Sequence, residues 1–176
     1  MSDNPSLAAW SSFYVMTGSS AAALTGLVFV VTTLLGSRED LKSSEGVAIF
    51  STPTVMHFGT TLLVAAVLTA PWRSFTGPRI CIACVALLGL AYVVRSALRT
   101  RRLAEYRLDL DDWIWYAMLP LVTYGTLLGG AMALHRAAGA ALYVIAGAVL
   151  LMLFIGIRNA WDVAAFIATG GPDRNP

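Results

Sequence analysis

Long apolar runs broken by short polar connections dominate the chain between Trp10 and Ala168. A helix that crosses a bilayer needs about 20 mostly apolar residues. Five stretches meet that length: about Trp10 to Leu35, Val47 to Ala70, Ile80 to Leu98, Trp113 to Leu134, and Gly139 to Ile157 with a continuation toward Ala168. None alternates as a barrel strand would, so helices are the only way to satisfy their backbones in lipid. His135 to Ala138 is barely a turn, which makes the fourth and fifth helices an antiparallel hairpin. The pattern predicts an all-α, polytopic transmembrane bundle of about five spans. It forms a single membrane domain over residues 1–176, with a polar tail at 170–176.

Composition agrees. Of 176 residues, 57% are apolar and 12% charged, against about 45–50% and about 25% in soluble domains. The surplus of apolar side chain, with a mean hydropathy of +0.71, has to face lipid. A formal charge of +2 is too small to imply nucleic acid as a partner. No Lys or Arg precedes Arg38, so the basic start of a cleavable leader is missing and the first apolar segment is expected to stay.

Loop charge sets the expected orientation. Arg38, Lys42, Arg99, Arg101, Arg102, Arg107 and Arg174 fall on one side of five spans, and only Arg73, Arg79 and Arg136 on the other. The positive-inside rule then gives N-out, C-in. Trp10 and Trp72 would mark the outer interface, and Trp113, Trp115 and Trp161 the inner one.

Small residues four apart suggest where helices approach closely. Gly18, Ala22 and Gly26 form one such row, and Gly125, Gly129 and Ala133 another. In lipid such rows serve either as seams within a chain or as contacts between chains, and the intramolecular seam is the plainer reading. Pro53 and Pro120 sit inside the second and fourth helices and each frees a backbone carbonyl.

The second helix carries the most informative pattern. Thr54, His57 and Thr61 lie within about 60° of one another around the helix, with Thr60 on the flank. A polar stripe with an ionisable residue at mid-bilayer depth faces a cavity, a partner or a water path. It reads as a pore or cavity lining in which His57 gates, accepts a proton or contacts a ligand. The alternative is a hydrogen-bonded structural histidine, with threonines bonded back to their own helix. Arg158, Asn159 and Asp162 make a second candidate at the inner end of the fifth helix, as a solvated i,i+4 pair or a polar group facing the interior. Arg95, Arg99 and Arg102 share a face at the inner end of the third helix and suit anionic lipid headgroups, although the positive-inside rule alone accounts for them.

Other chemistry is thin. His57 and His135 differ by about 20 Å in depth at 1.5 Å per residue, too far for one haem iron. Cys81 and Cys84 form a Cys-x-x-Cys pair near the outer face, where a redox role is physically reasonable. Thiol oxidases of the membrane need a second cysteine pair, however, and two small apolar-like thiols in a lipid-facing helix are the simpler explanation. No phosphate loop, zinc-protease motif, nucleophile elbow or carboxylate cluster is present, so no cofactor, metal or enzymatic activity is expected. The run Asp109, Asp111, Asp112 has neither the glycine turn nor the distal glutamate of a calcium loop.

The stretch Trp10-Ser-Ser-Phe-Tyr-Val-Met-Thr-Gly-Ser-Ser-Ala-Ala-Ala-Leu-Thr-Gly-Leu-Val-Phe-Val resembles the first helix of small, uncharacterised bacterial multi-pass membrane proteins. Gly156-Ile-Arg-Asn-Ala-Trp-Asp is similar to their last helix. The resemblance implies a bacterial inner-membrane location and no catalytic residue. The function expected from these readings is a homo-oligomer whose second helix lines an ion- or small-solute-conducting path, because five short helices leave little room for one inside a subunit. An accessory subunit of another membrane protein is the alternative, and a thiol redox protein the third.

Overall fold

A computed structural model describes residues 7–36, 45–102 and 113–168. The described residues contain no strand. Five long helices follow one another: α1 (Leu7–Gly36), α2 (Glu45–Thr69), α3 (Thr76–Arg102), α4 (Leu119–Ala133) and α5 (Ala138–Ala168), with a π-helical turn at Ile114–Met118 leading into α4. Each expected apolar stretch is thus a helix. Four of them contain segments long and apolar enough to cross a membrane: Leu7–Thr33, Thr76–Arg99, Ile114–Ala133 and Ala138–Asp162. In α2 the described apolar stretch is shorter, Pro53–Thr69. The described residues form an all-helical bundle of membrane type.

Why these segments are helical follows from their composition and their breaks. The runs are rich in Ala and Leu, which form helices well, and in lipid an extended chain would leave every N–H and C=O unpaired. Pro71 lies just beyond the end of α2, where an absent N–H stops a helix. Trp72 folds back across that stop and donates from its indole Nε1 to the Val67 carbonyl at 2.6 Å. A four-residue turn joins α4 to α5, and Arg136 and Ala137 both donate to the Ala133 carbonyl there. That is the short hairpin expected from His135 to Ala138.

Neighbours pack antiparallel. α2 lies at the centre, against α1 on one side and α5 on the other; α5 also packs on α4, and α4 on α3. α1 touches α5 only lightly. The core is apolar, with Val64, Leu68, Ile82, Leu127, Leu142, Ile145 and Met152 all at most 2% exposed. Outside it, Val15, Phe29, Leu88, Val122, Leu150 and Phe154 are exposed, as a lipid-facing surface requires.

The expected small-residue seams are corrected. Only Gly18 is at a close approach, where an added Cβ would come within 2.9 Å of the Ala65 Cβ. Ala22, Gly26, Gly125 and Gly129 are exposed, and among the described residues, apart from its own helix backbone and chain neighbours, nothing comes within 4 Å of a Cβ built at Gly26, Gly125 or Gly129. The reason is rotational. Steps of four advance about 400° around a helix, so each step drifts about 40° from a fixed face. The buried positions of α1 instead run Tyr14, Thr17, Gly18, Ala21, and those of α4 run Pro120, Thr123, Tyr124, Leu127, Gly130, Ala131, in steps of three and four.

Arg38, Lys42, Arg107 and Arg174, which bear on the expected orientation, lie outside the described residues, as do the run Asp109, Asp111, Asp112 and the tail 170–176. Tryptophans do separate by end. Trp10 and Trp72 lie at the end holding the start of α1 and the turn after α2, and Trp115 and Trp161 at the other.

Candidate intramembrane polar site

The polar stripe of α2 is turned inward. Thr54, His57, Thr60 and Thr61 are 1%, 1%, 7% and 0% exposed within a single chain. An intersubunit pore lined by these residues needs them on the outside of the bundle, whereas within a single chain they are buried, with Thr60 and His57 beside Tyr124 of α4 and Thr54 at a groove between α1 and α5. Five short helices are expected to leave little room for a transport site inside one subunit, and within the single chain the polar stripe of α2 is nonetheless buried. Gly89 and Gly156 make the room.

Gly89 on α3 supports the ring of Tyr124, and a Cβ there would collide with it. So held, Tyr124 is wholly buried, its ring centroid is 6.0 Å from that of His57, and its hydroxyl is 3.1 Å from Thr60 Oγ1. Gly156 on α5 likewise makes way for the ring of Phe58. That contact fixes the register of α2 on α5. Because the two helices run antiparallel, Asn159 lies only about 3 Å in depth from His57 at 1.5 Å per residue.

Asn159 is the residue of the inner-end trio that enters the core. It is 0% exposed, and neither its amide nitrogen nor its amide oxygen has a hydrogen-bond partner among the described residues. Arg158 and Asp162 point to the flank, where they pair with each other at 33% and 38% side-chain exposure. Arg158 also stacks over Trp115, 4.6 Å from the ring centroid. So exposed a pair contributes at most about 1 kcal/mol. The expected trio divides into a surface ion pair and one buried amide.

Further orphan polar atoms share this interior: His57 Nδ1, Thr61 Oγ1 and Tyr14 Oη. Leaving such an atom unpaired in a protein interior costs about 1–3 kcal/mol. Thr17 and Thr123 are buried as well, but both hydroxyls are satisfied by the carbonyls of their own helices, at Phe13 and Leu119. Gly18 against Ala65 sets α1 on α2, so Tyr14 falls near the level of Thr69. From Thr54 to that level the buried polar groups extend about 22 Å, most of a hydrocarbon core about 30 Å thick. All of them are hydroxyl, imidazole or amide. No carboxylate, ammonium or guanidinium is buried among the described residues.

Recesses among the described residues flank the bundle. Thr54 and Phe58 border an apolar groove of about 260 Å³ between α1 and α5, with Leu24, Val28, Ala160 and Trp161. A wider one of about 970 Å³ opens at the other end, between Leu7, Ser11 and the turn from Leu68 to Phe75.

The remaining candidates are scattered. Cys81 is half-buried, Cys84 is exposed, and both are free thiols on α3. Arg95 and Arg99 are exposed near the end of that helix, while the side chain of Arg102 lies outside the described residues. Sequence reasoning missed Tyr14, Tyr124 and the two glycines that seat the rings. Tyr124 was findable in principle, as a phenol three residues before the hydrophobic Leu127 on the same buried face; Gly89 and Gly156 carry no sequence signal that separates them from the other glycines. Comparison with family models, with characterised proteins and with solved structures finds no match for this chain.

Proposed function

We propose that this protein is a non-enzymatic, multi-pass protein of the bacterial inner membrane, spanning five times with N-out, C-in topology, that provides a conducting path for an ion or small solute along α2. The path runs inside each protomer, between α2, α4 and α5. What carries this reading is the burial of Thr54, His57, Thr60 and Thr61, with Thr60 and His57 beside Tyr124, Asn159 near the depth of His57, and orphan polar atoms on His57, Thr61 and Asn159. Groups that raise the energy of the folded state by staying unpaired are retained where they handle something hydrophilic. Lipid is the surrounding partner, with anionic headgroups at Arg95, Arg99 and Arg102, and self-association is carried by the outward rows.

Purified protein in liposomes tests the reading. Flux of at least one of protons, potassium, chloride or glycerol is expected from the wild type and at least a tenfold reduction from His57→Ala; vesicles that stay tight to all four would reject it.

A second reading, an accessory subunit of another membrane protein, is favoured by the outward faces of Ala22 and Gly26 on α1 and Gly125 and Gly129 on α4. Backbones exposed to lipid in this way suit close helix contact with a partner. Such a subunit would be inert in liposomes until that partner is added.

A further inference from the structure

We infer that the species carried is the proton, passed along a relay of hydrogen-bonding side chains centred on His57, Tyr124, Thr60, Thr61 and Asn159. The inference deepens the conducting reading and rests on it. It follows from what the column contains. Every polar side chain in it both donates and accepts: threonine and tyrosine hydroxyls, imidazole, and a carboxamide. A site for a hard cation gathers carboxylates and carbonyls, and a site for an anion gathers guanidinium or ammonium groups. Among the described residues the interior has none of these charged groups. A chain of groups able to give one proton while taking another suits the single ion that can move by exchange of hydrogen bonds.

Packing argues the same way. Phe58 seated on Gly156 and Tyr124 seated on Gly89 fill the space beside the stripe with ring carbon, and His57 and Thr61 are at most 1% exposed. A hydrated potassium ion or a glycerol molecule needs a continuous bore. A proton needs only neighbours within hydrogen-bond reach, such as Thr60 and Tyr124 at 3.1 Å, and a bound water wherever two polar groups stand too far apart to touch.

The transfer balances without a cofactor. One imidazole nitrogen of His57 takes up a proton and the other releases one, so the ring is neutral before and after and has only exchanged tautomers. Each hydroxyl accepts a proton on a lone pair as it gives up its own. A rotation of the ring, or of the hydroxyls, restores the starting polarity of the chain. No bond other than O–H and N–H is made or broken. The orphan atoms His57 Nδ1, Thr61 Oγ1 and Asn159 Oδ1 are then places where a moving proton or its carrier water is received, and Asn159 Nδ2 donates to such a water.

The test uses the full-length protein in liposomes with a trapped pH-sensitive dye, potassium inside, and valinomycin to set the potential. Wild type is expected to acidify or alkalinise the lumen according to the sign of the potential, with no flux of sodium, chloride or glycerol. Tyr124→Phe and Asn159→Leu, which keep volume while removing the relay atoms, should each lower proton flux at least tenfold. Thr25→Val, on α1 and bonded to its own helix at Ala21, should not. Circular dichroism and elution volume matching wild type confirm that each variant is folded. Flux of sodium, chloride or glycerol without protons would overturn the proton assignment and leave the conducting path standing. Proton flux unchanged by both Tyr124→Phe and Asn159→Leu would overturn the relay. Tight vesicles throughout would remove both.

Discussion

At the scale of single residues, the contact that most defines the interior is the one between Thr60 and Tyr124, 64 positions apart and buried. In a membrane interior such a bond is worth about 0.6 kcal/mol on average and rarely more than about 1.7. A double-mutant cycle of Thr60→Val and Tyr124→Phe, read from unfolding in mixed micelles, is expected to give a coupling of about 0.5–1.5 kcal/mol. A coupling indistinguishable from zero would mean that the two hydroxyls do not meet. The polar members of α2 were legible from sequence because a histidine and three threonines are conspicuous in an apolar run. Their direction was not. A stripe on a helical wheel says which residues share a face, whereas the helix that covers that face is decided by contacts such as Gly89 under Tyr124, which join distant parts of the chain.

At the scale of elements, glycines divide into those that let helices meet and those that face outward. Gly89 and Gly156 belong to the first kind, and Gly26 and Gly129 to the second. Gly89→Ala is expected to overpack the Tyr124 ring and cost about 1–3 kcal/mol. Gly26→Ala and Gly129→Ala should leave the isolated protein within about 0.5 kcal/mol of wild type, since the added methyl meets open space and alanine is the better helix former. Thermal unfolding in detergent checks the contrast, and equal effects at all three positions would contradict this packing. The helices themselves were readable almost to their ends, because length and apolarity settle helical structure in lipid. The four-residue rows misled because small residues are frequent in such helices and a drift of about 40° per step carries a row off the seam.

At the scale of the whole molecule, the bundle has a central helix with its hydrophilic side sealed inside one protomer and an outer surface of exposed apolar side chains. Under the proposed function, the path then needs no second copy of the chain. Dilution separates the two arrangements. The protein is reconstituted over a falling ratio of protein to lipid until most vesicles hold one copy or none, and the fraction of vesicles that pass protons is measured. A path inside the protomer predicts that this fraction falls in proportion to protein and that single-copy vesicles conduct. A fall with the square or a higher power of protein would place the path between copies and contradict the account.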